Sequence, residues 1–182
     1  MEQILYNILE LAKRPNHVRG IAKTIGMNHM TVSRALRDMY SKNIIDYELQ
    51  GKNKVYKIKN TIDARNYLVM AESYALINKI NQYPILRKIV KNIQSNNNIK
   101  LIILFGSYAK NLAKSNSDID IFIKTKDRDL KKEIEQLNTK ISVKIGSLND
   151  EILSNEIKKD HIILKGAEQY YDKYFFKKII QK

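Results

Sequence analysis

The sequence predicts an α+β fold built from two unlike parts joined by helices. Three observations predict it. Apolar residues recur at helical spacing from Ile4 to Met39, and two short alternating runs around Gly51 follow them. Helical spacing then resumes from Ile62 to Ser95. Beyond the polar run Ser95-Asn96-Asn97-Asn98 the pattern changes to short apolar runs of strand length, separated by turns and one helical segment.

Each element has its own justification. Ile4, Leu5, Ile8, Leu9 and Leu11 give residues 2–13 an apolar helical face, and Pro15-Asn16 ends it. His17 to Ile25 forms a short second helix, which Gly26 closes where a left-handed residue is needed. Asn28 caps a third helix with Val32, Ala35, Leu36 and Met39 facing inward, and Asn43 breaks it. IIDYEL (44–49), the turn Gln50-Gly51-Lys52-Asn53 and KVYKIK (54–59) read as a β-hairpin. A long helix from about Ile62 to Asn81 carries Ala64, Leu68, Ala71, Ala75 and Ile80. Pro84 begins another helix, 84–95, with Leu86, Ile89, Val90 and Ile93. LIILF and DIDIFI are strands, DRDLKKEIEQLN is an amphipathic helix, and KISVKIGS is a strand. HIILKG supplies a fifth short run before a C-terminal helix, EQYYDKYFFKKII. The expected division is 1–60, a helical linker or dimerisation element at 61–98, and 99–182.

The charge balance points to a polyanion. Net charge is +14 and the isoelectric point is near 9.7. Residues 1–60 carry 11 Lys and Arg against 5 Asp and Glu, so the surplus is strongest where the helical pattern is most regular. A Lys-rich compositional bias is the plain alternative. The absence of cysteine removes disulfides and thiolate zinc sites. No apolar run approaches the roughly 20 residues of a membrane helix. The N-terminus has an early acid and no cleavage-like site, so it reads as a helix of the mature protein. A cytoplasmic location without membrane contact is the expectation.

The stretch HVRGIAKTIGMNHMTVSRALRDMYSKNIIDY resembles the winged helix–turn–helix of prokaryotic transcription regulators. The resemblance lies in Ala22, Gly26 and Met27, in Thr31-Val32-Ser33-Arg34, in Leu36 and Met39, and in Ile44-Ile45 entering the wing. It implies DNA binding, with the third helix leading into the major groove by its N-terminal end. Asn28, His29, Met30, Ser33, Arg34 and Arg37 would face the groove. Lys52, Asn53 and Lys54 at the wing tip would touch the backbone or the minor groove. Such regulators bind two-fold sites, so a homodimer through residues 62–95 is expected.

LFGSYAKNLAKSNSDIDIFI (104–123) raises a different chemistry. Asp118 and Asp120 stand one residue apart in an apolar run, so on a strand they share a face opposite Ile119, Ile121 and Ile123. Adjacent carboxylates repel unless a cation lies between them or their pKa values rise. All-oxygen ligands suit Mg²⁺ or Mn²⁺. Gly106-Ser107, where a strand hands over to a helix, suits phosphate oxygens.

Gly106-Ser107, a ten-residue spacer and Asp118-Ile119-Asp120 resemble the signature of the nucleotidyltransferase superfamily. That superfamily includes DNA polymerase β, CCA-adding enzymes, kanamycin nucleotidyltransferase and the minimal nucleotidyltransferases. The resemblance covers about residues 99–166. It implies a mixed sheet with flanking helices and transfer of a nucleoside monophosphate from an NTP, with ATP the expected nucleotide. Gly106 and Ser107 would hold the β- and γ-phosphates. Asp118 and Asp120 would act as catalytic metal ligands. Lys110 and Lys114 could neutralise phosphate charge. The family places a third carboxylate on the following strand, which here reads Lys140-Ile141-Ser142-Val143-Lys144-Ile145. Ser142 stands in that position and Lys144 is next on the face. Asp150 or Glu151 could swing in from the next loop, or a partner subunit could supply the acid.

Three functional readings follow. One is a DNA-binding regulator with a working nucleotidyltransferase domain. Another is a regulator whose nucleotidyltransferase-like domain is catalytically inactive and senses nucleotide or metal. The third is an enzyme whose winged domain presents RNA, a protein or a small molecule as acceptor.

Overall fold

A computed structural model describes residues 1–148, 155–157 and 159–176. The chain forms two compact units. One holds Met1–Tyr74 and the described residues 171–176; the other lies within Ala75–Tyr170.

The first unit opens with α1 (Glu2–Lys13), β1 (Asn16–His17), α2 (Val18–Ile25) and α3 (His29–Ser41). It continues with β2 (Ile45–Gln50), β3 (Asn53–Ile58) and the first part of α4 (Ile62–Gln82). Ile8, Ile21, Leu36, Met39, Ile44, Ile45 and Leu68 are fully buried, so the apolar stripes of the three helices and the hairpin meet. Gly26 adopts φ 67° after α2, as the sequence requires, and its N–H donates to Ala22 O. Asn28 caps α3 by accepting from the Met30 N–H at 2.8 Å. Asn43 is left-handed at φ 59° and turns the chain into β2. The sheet has the order β1-β3-β2, all antiparallel. β1 has two residues and pairs Asn16 with Tyr56, a strand too short to leave a periodic trace in the sequence. A π-helical turn, Tyr171–Phe176, returns to this unit. Its Tyr171 hydroxyl donates to buried Glu72 at 2.6 Å, and Asp172 pairs with Arg65 at 2.7 Å.

The second unit holds the rest of α4, α5 (Leu86–Ser95), β4 (Ile102–Phe105), α6 (Gly106–Ala109) and β5 (Ile119–Ile123). It then holds α7 (Arg128–Glu135), β6 (Ile141–Ile145), β7 (Ile162–Lys165) and α8 (Ala167–Tyr170). The sheet order is β6-β5-β4-β7. β5 and β6 are parallel, with α7 in the crossover that a parallel pair needs; the other pairs are antiparallel. One sheet face is Ile102, Leu104, Ile119, Ile121, Ile123, Ile141 and Val143, packed with Leu86, Ile89, Val90 and Ile93 of α5 and Leu130 and Ile134 of α7. The other face carries Phe105, Asp120, Phe122, Ser142 and Lys144, which leaves the polar chemistry on the side away from that core.

Several expected boundaries move, among them the start of DIDIFI, since β5 begins at Ile119 and leaves Asp118 before the strand, and the end of the helix after it, since α7 is Arg128–Glu135. α5 starts at Leu86, not Pro84: Tyr83, Pro84 and Ile85 form a turn in which the Leu86 N–H reaches Tyr83 O at 3.0 Å. Proline disfavours helical backbone at the residue before it, so a turn precedes the helix. The C-terminal segment is not one α-helix from 168, since α8 passes into the π-helical turn at Tyr171. The part of that expected helix beyond 176 lies outside the described residues, as do Asp150 and Glu151.

Candidate functional site

Strand β4 ends at Phe105, and Gly106 opens α6 at φ 69°, a left-handed conformation that suits glycine. The neighbouring strand explains the choice. A Cβ built on Gly106 would overlap Asp120 Oδ2 and lie 3.0 Å from Asp120 Cγ. The turn and the second aspartate are therefore in direct contact across the β4–β5 pair, where Phe105 stands opposite Asp120. Tyr108 anchors α6 beneath: it is buried and meets Tyr83 edge to face at 4.9 Å. The Leu112 N–H donates to Ser107 O at 2.9 Å, which folds the following loop back over the serine.

The loop after α6 has a second tether. Lys79 of α4 is only 5% exposed, and its ammonium donates to Ala109 O at 3.1 Å and to Asn111 Oδ1. Burial pushes its pKa down, and Asp160 opposes that shift. Asn111 itself is left-handed at φ 61°. Lys79 escapes notice in the sequence because a single lysine on a long helix carries no spacing signal.

The two aspartates differ. Asp118 precedes β5 and is exposed, whereas Asp120 lies within the strand and is half-buried. Burial pushes the Asp120 carboxyl above the ordinary carboxylate range; Lys144 and Lys110 oppose the shift, and Asp118 and Glu156 add to it. The register places Ser142 beside Asp120 and Lys144 beside Phe122. The Lys144 ammonium lies 5.3 Å from the Phe105 ring centroid. Lys110, the C-cap of α6, pairs with Glu156 at 3.5 Å, both side chains being more than a third exposed. Lys114 is exposed in the connecting loop.

This donor set suits a hard divalent cation. Asp118 and Asp120 offer oxygen ligands, and the Asp120 carboxylate, raised in pKa and pressed on a glycine, gains from a neighbouring positive charge. No three His, Cys, Asp or Glu side chains gather into a ligand set among the described residues, so a cation here would rest on the pair and on water or substrate oxygens.

A separate surface lies on the first unit. His29, Met30, Arg34 and Arg37 are exposed on α3, and Ser33 is half-buried among them. Asn28 is exposed at the cap of the helix. Lys52, Asn53 and Lys54 are exposed at the hairpin tip, and the Lys54 ammonium lies 4.0 Å above the Tyr47 ring. Arg14, His17 and Lys23 join Asn16, Gly20 and Thr24 in lining an open cleft of about 540 Å³ at the start of α2. No sequence pattern singles out Arg14, His17 and Lys23; they come together only when β1 and α2 fold.

The segment 87–170 matches the family described as "Polymerase beta, Nucleotidyltransferase". Residues 87–170 are a nucleotidyltransferase-like domain. It spans α5 to α8 and contains the Gly106–Asp120 contact. A solved structure, "Crystal structure of the toxin-antitoxin with AMP-PNP", shares 25% sequence identity, with 57% of this chain and 84% of that chain covered. Its TM-score is 0.36. A comparison with curated proteins gave no match. Among the described residues no helix is long and apolar enough to cross a membrane.

Proposed function

We propose that this is a DNA-binding protein whose nucleotidyltransferase-like domain binds an NTP with Mg²⁺ or Mn²⁺. The observation that carries the nucleotide half is the contact of Asp120 with the left-handed Gly106. It sets a left-handed glycine turn directly against a carboxylate that favours a cation. Gly106 and Ser107 hold phosphate oxygens in this reading, and Asp118 and Asp120 hold the cation. The cation, when bound, supplies charge neutralisation for the phosphates and for the oxygens that exchange in nucleotidyl transfer. ATP is the expected nucleotide. The test is incubation with each labelled NTP and Mg²⁺ or Mn²⁺, with and without nucleic-acid and protein acceptors. Labelled product that disappears in Asp118→Asn/Asp120→Asn identifies an NMP transferase. Retained nucleotide binding without product identifies a sensor.

The DNA half is supported by one arrangement: a capped helix with Arg34 and Arg37 exposed, followed by an antiparallel hairpin with Lys52 and Lys54 at its tip. In this reading the helix and the hairpin serve as recognition helix and wing, with Asn28, His29 and Ser33 at the leading end. Presentation of RNA or a protein to the nucleotide site is the competing use of the same surface, and direct DNA titration separates the two.

A homodimer through α4 and α5 completes the proposal. Ile62, Met70 and Ile77 are exposed on α4 at intervals of eight and seven residues, with exposed Asn66 and Ser73 between them. An uncharged stripe at this spacing fits a second copy of the same helix.

A further inference from the structure

One face of the β2–β3 hairpin changes character along its length. Register and alternation put Ile45, Tyr47 and Leu49 on that face, opposite Ile58, Tyr56 and Lys54. Ile45 and Ile58 are buried, whereas Leu49 and Lys54 are exposed. Between these ends the rings of Tyr56 and Tyr47 lie 5.8 Å apart, and Tyr47 meets Tyr40 of α3 at 5.6 Å. Tyr56 is buried, Tyr47 half-buried and Tyr40 50% exposed. Three rings thus step from the core to the surface, and the inner two fix the place of the outer one.

Cations flank the outer end of this stack. The Lys54 ammonium lies 4.0 Å from the Tyr47 ring centroid. Lys52 is exposed at the hairpin turn, and Arg37, three residues before Tyr40, is exposed on the same side of α3. The neighbouring acids are matched: Lys42 holds Asp38 at 2.8 Å, and Lys57 holds Glu48. Packing alone does not call for a ring left half in water. An exposed ring among cations suits a ligand with flat apolar faces and regularly spaced negative charges, which is a nucleic-acid strand. In a duplex the base faces are covered by their stacked neighbours, so only an unpaired base can lie on Tyr40.

We infer that Tyr40 is a stacking platform for an unpaired DNA strand, whose phosphates lie along Arg37, Lys52 and Lys54. The choice of DNA rests on the reading of this unit as a DNA binder; the stacking itself needs no duplex. The leading end of α3 then addresses base edges in a duplex groove, and its trailing end addresses the faces of bases opened beside it.

The chain has no tryptophan, so Tyr40→Trp in the full-length protein gives a single reporter at the platform. Its emission is expected to be quenched by an oligothymidylate of about 15 nucleotides. An abasic DNA oligomer of the same length, which has the phosphates without the bases, is expected to leave it unquenched. Fluorescence anisotropy then compares wild type, Tyr40→Ala and Tyr40→Phe on single-stranded and duplex DNA, with thermal melts to establish folding. Tyr40→Ala is expected to weaken single-strand binding roughly tenfold and Tyr40→Phe to stay within about twofold of wild type, both binding duplex as wild type does. Equal affinity for the oligothymidylate and the abasic oligomer overturns the platform. So does wild-type single-strand affinity in Tyr40→Ala, or an equal loss of single-strand and duplex binding. Binding of oligouridylate without oligothymidylate overturns the choice of DNA. Duplex binding with no single-strand binding overturns the platform and leaves the DNA-binding proposal standing; absence of both overturns both.

Discussion

Asp120 lays its carboxylate on the backbone of Gly106, so closely that a methyl group at that glycine would overlap Oδ2. Gly106→Ala meets two penalties, left-handed backbone and a steric clash, of about 1–2 and 1–3 kcal/mol. The variant is expected to be destabilised by roughly 2–5 kcal/mol and to fail to bind NTP. Adding Asp120→Ala removes the overlap with Oδ2 and Cγ, but leaves the Cβ contact at 3.2 Å and the backbone penalty. The double variant should be less destabilised than the sum of the two single variants, and denaturant melts of the four proteins measure the difference. Strict additivity would mean that the two residues do not press on each other.

The raised pKa of Asp120 fixes the sign of a pH effect. A carboxyl whose folded pKa lies above the unfolded value binds its proton more tightly when folded, so stability falls as pH rises from the ordinary value near 3.8 through the folded pKa. Asp120→Asn should flatten that part of the melting-temperature profile and raise the stability of the cation-free protein at neutral pH. Saturating Mn²⁺ should protect wild type at neutral pH and cease to do so in acid, where the proton competes for the carboxylate. A melting profile unchanged by Asp120→Asn would contradict this account.

Lys79 makes a testable separation between global and local stability. Lys79→Met removes a buried charge, which is favourable, and two bonds to the loop after α6, which is not. Global stability is expected to change little. The loop should loosen, with amide exchange at Lys110 and Leu112 rising roughly tenfold, the equivalent of about 1.4 kcal/mol. NTP affinity should fall with it, and unchanged exchange would remove Lys79 from the positioning of the turn.

On the first unit, Arg34→Ala and Arg37→Ala are expected to weaken DNA binding and to reduce the slope of log affinity against log salt by about 0.9 for each phosphate left without its arginine. Fluorescence anisotropy with duplex DNA at several salt concentrations measures it. Binding that does not vary with salt would argue against this surface as a DNA reader.

Met70→Glu places a charge in the middle of the exposed α4 stripe without touching the core. Light scattering should show a dimer in wild type and a monomer in the variant. A wild-type monomer at all concentrations would end the dimer proposal.

Most of the architecture was legible because local rules and tertiary packing agree. Gly26, Asn28 and Asn43 each sit where their conformational preferences place them, and the apolar period of α3 matches its buried face; on α1 the expected Leu9 is half-buried while Asn7 and Glu10 are buried, and on α4 Ala75 and Ile80 are only partly buried. The fit fails where structure depends on distant partners. β1 exists only because Asn16 finds Tyr56, forty residues on, and Lys79 matters only because Asn111 turns left-handed beneath it. At the site, alternation correctly put Ile119, Ile121 and Ile123 in the core, but it could not show that Phe122 is also buried beside Asp120.

The most direct measurement is a calorimetric titration of ATP into the full-length protein. With Mg²⁺ present, the wild type is expected to give saturable binding, abolished by EDTA and absent in the folded Asp118→Asn/Asp120→Asn variant. Absence of binding by the wild type, or equal binding by the variant in EDTA, would contradict the assignment of Gly106, Ser107, Asp118 and Asp120 as a cation–nucleotide site.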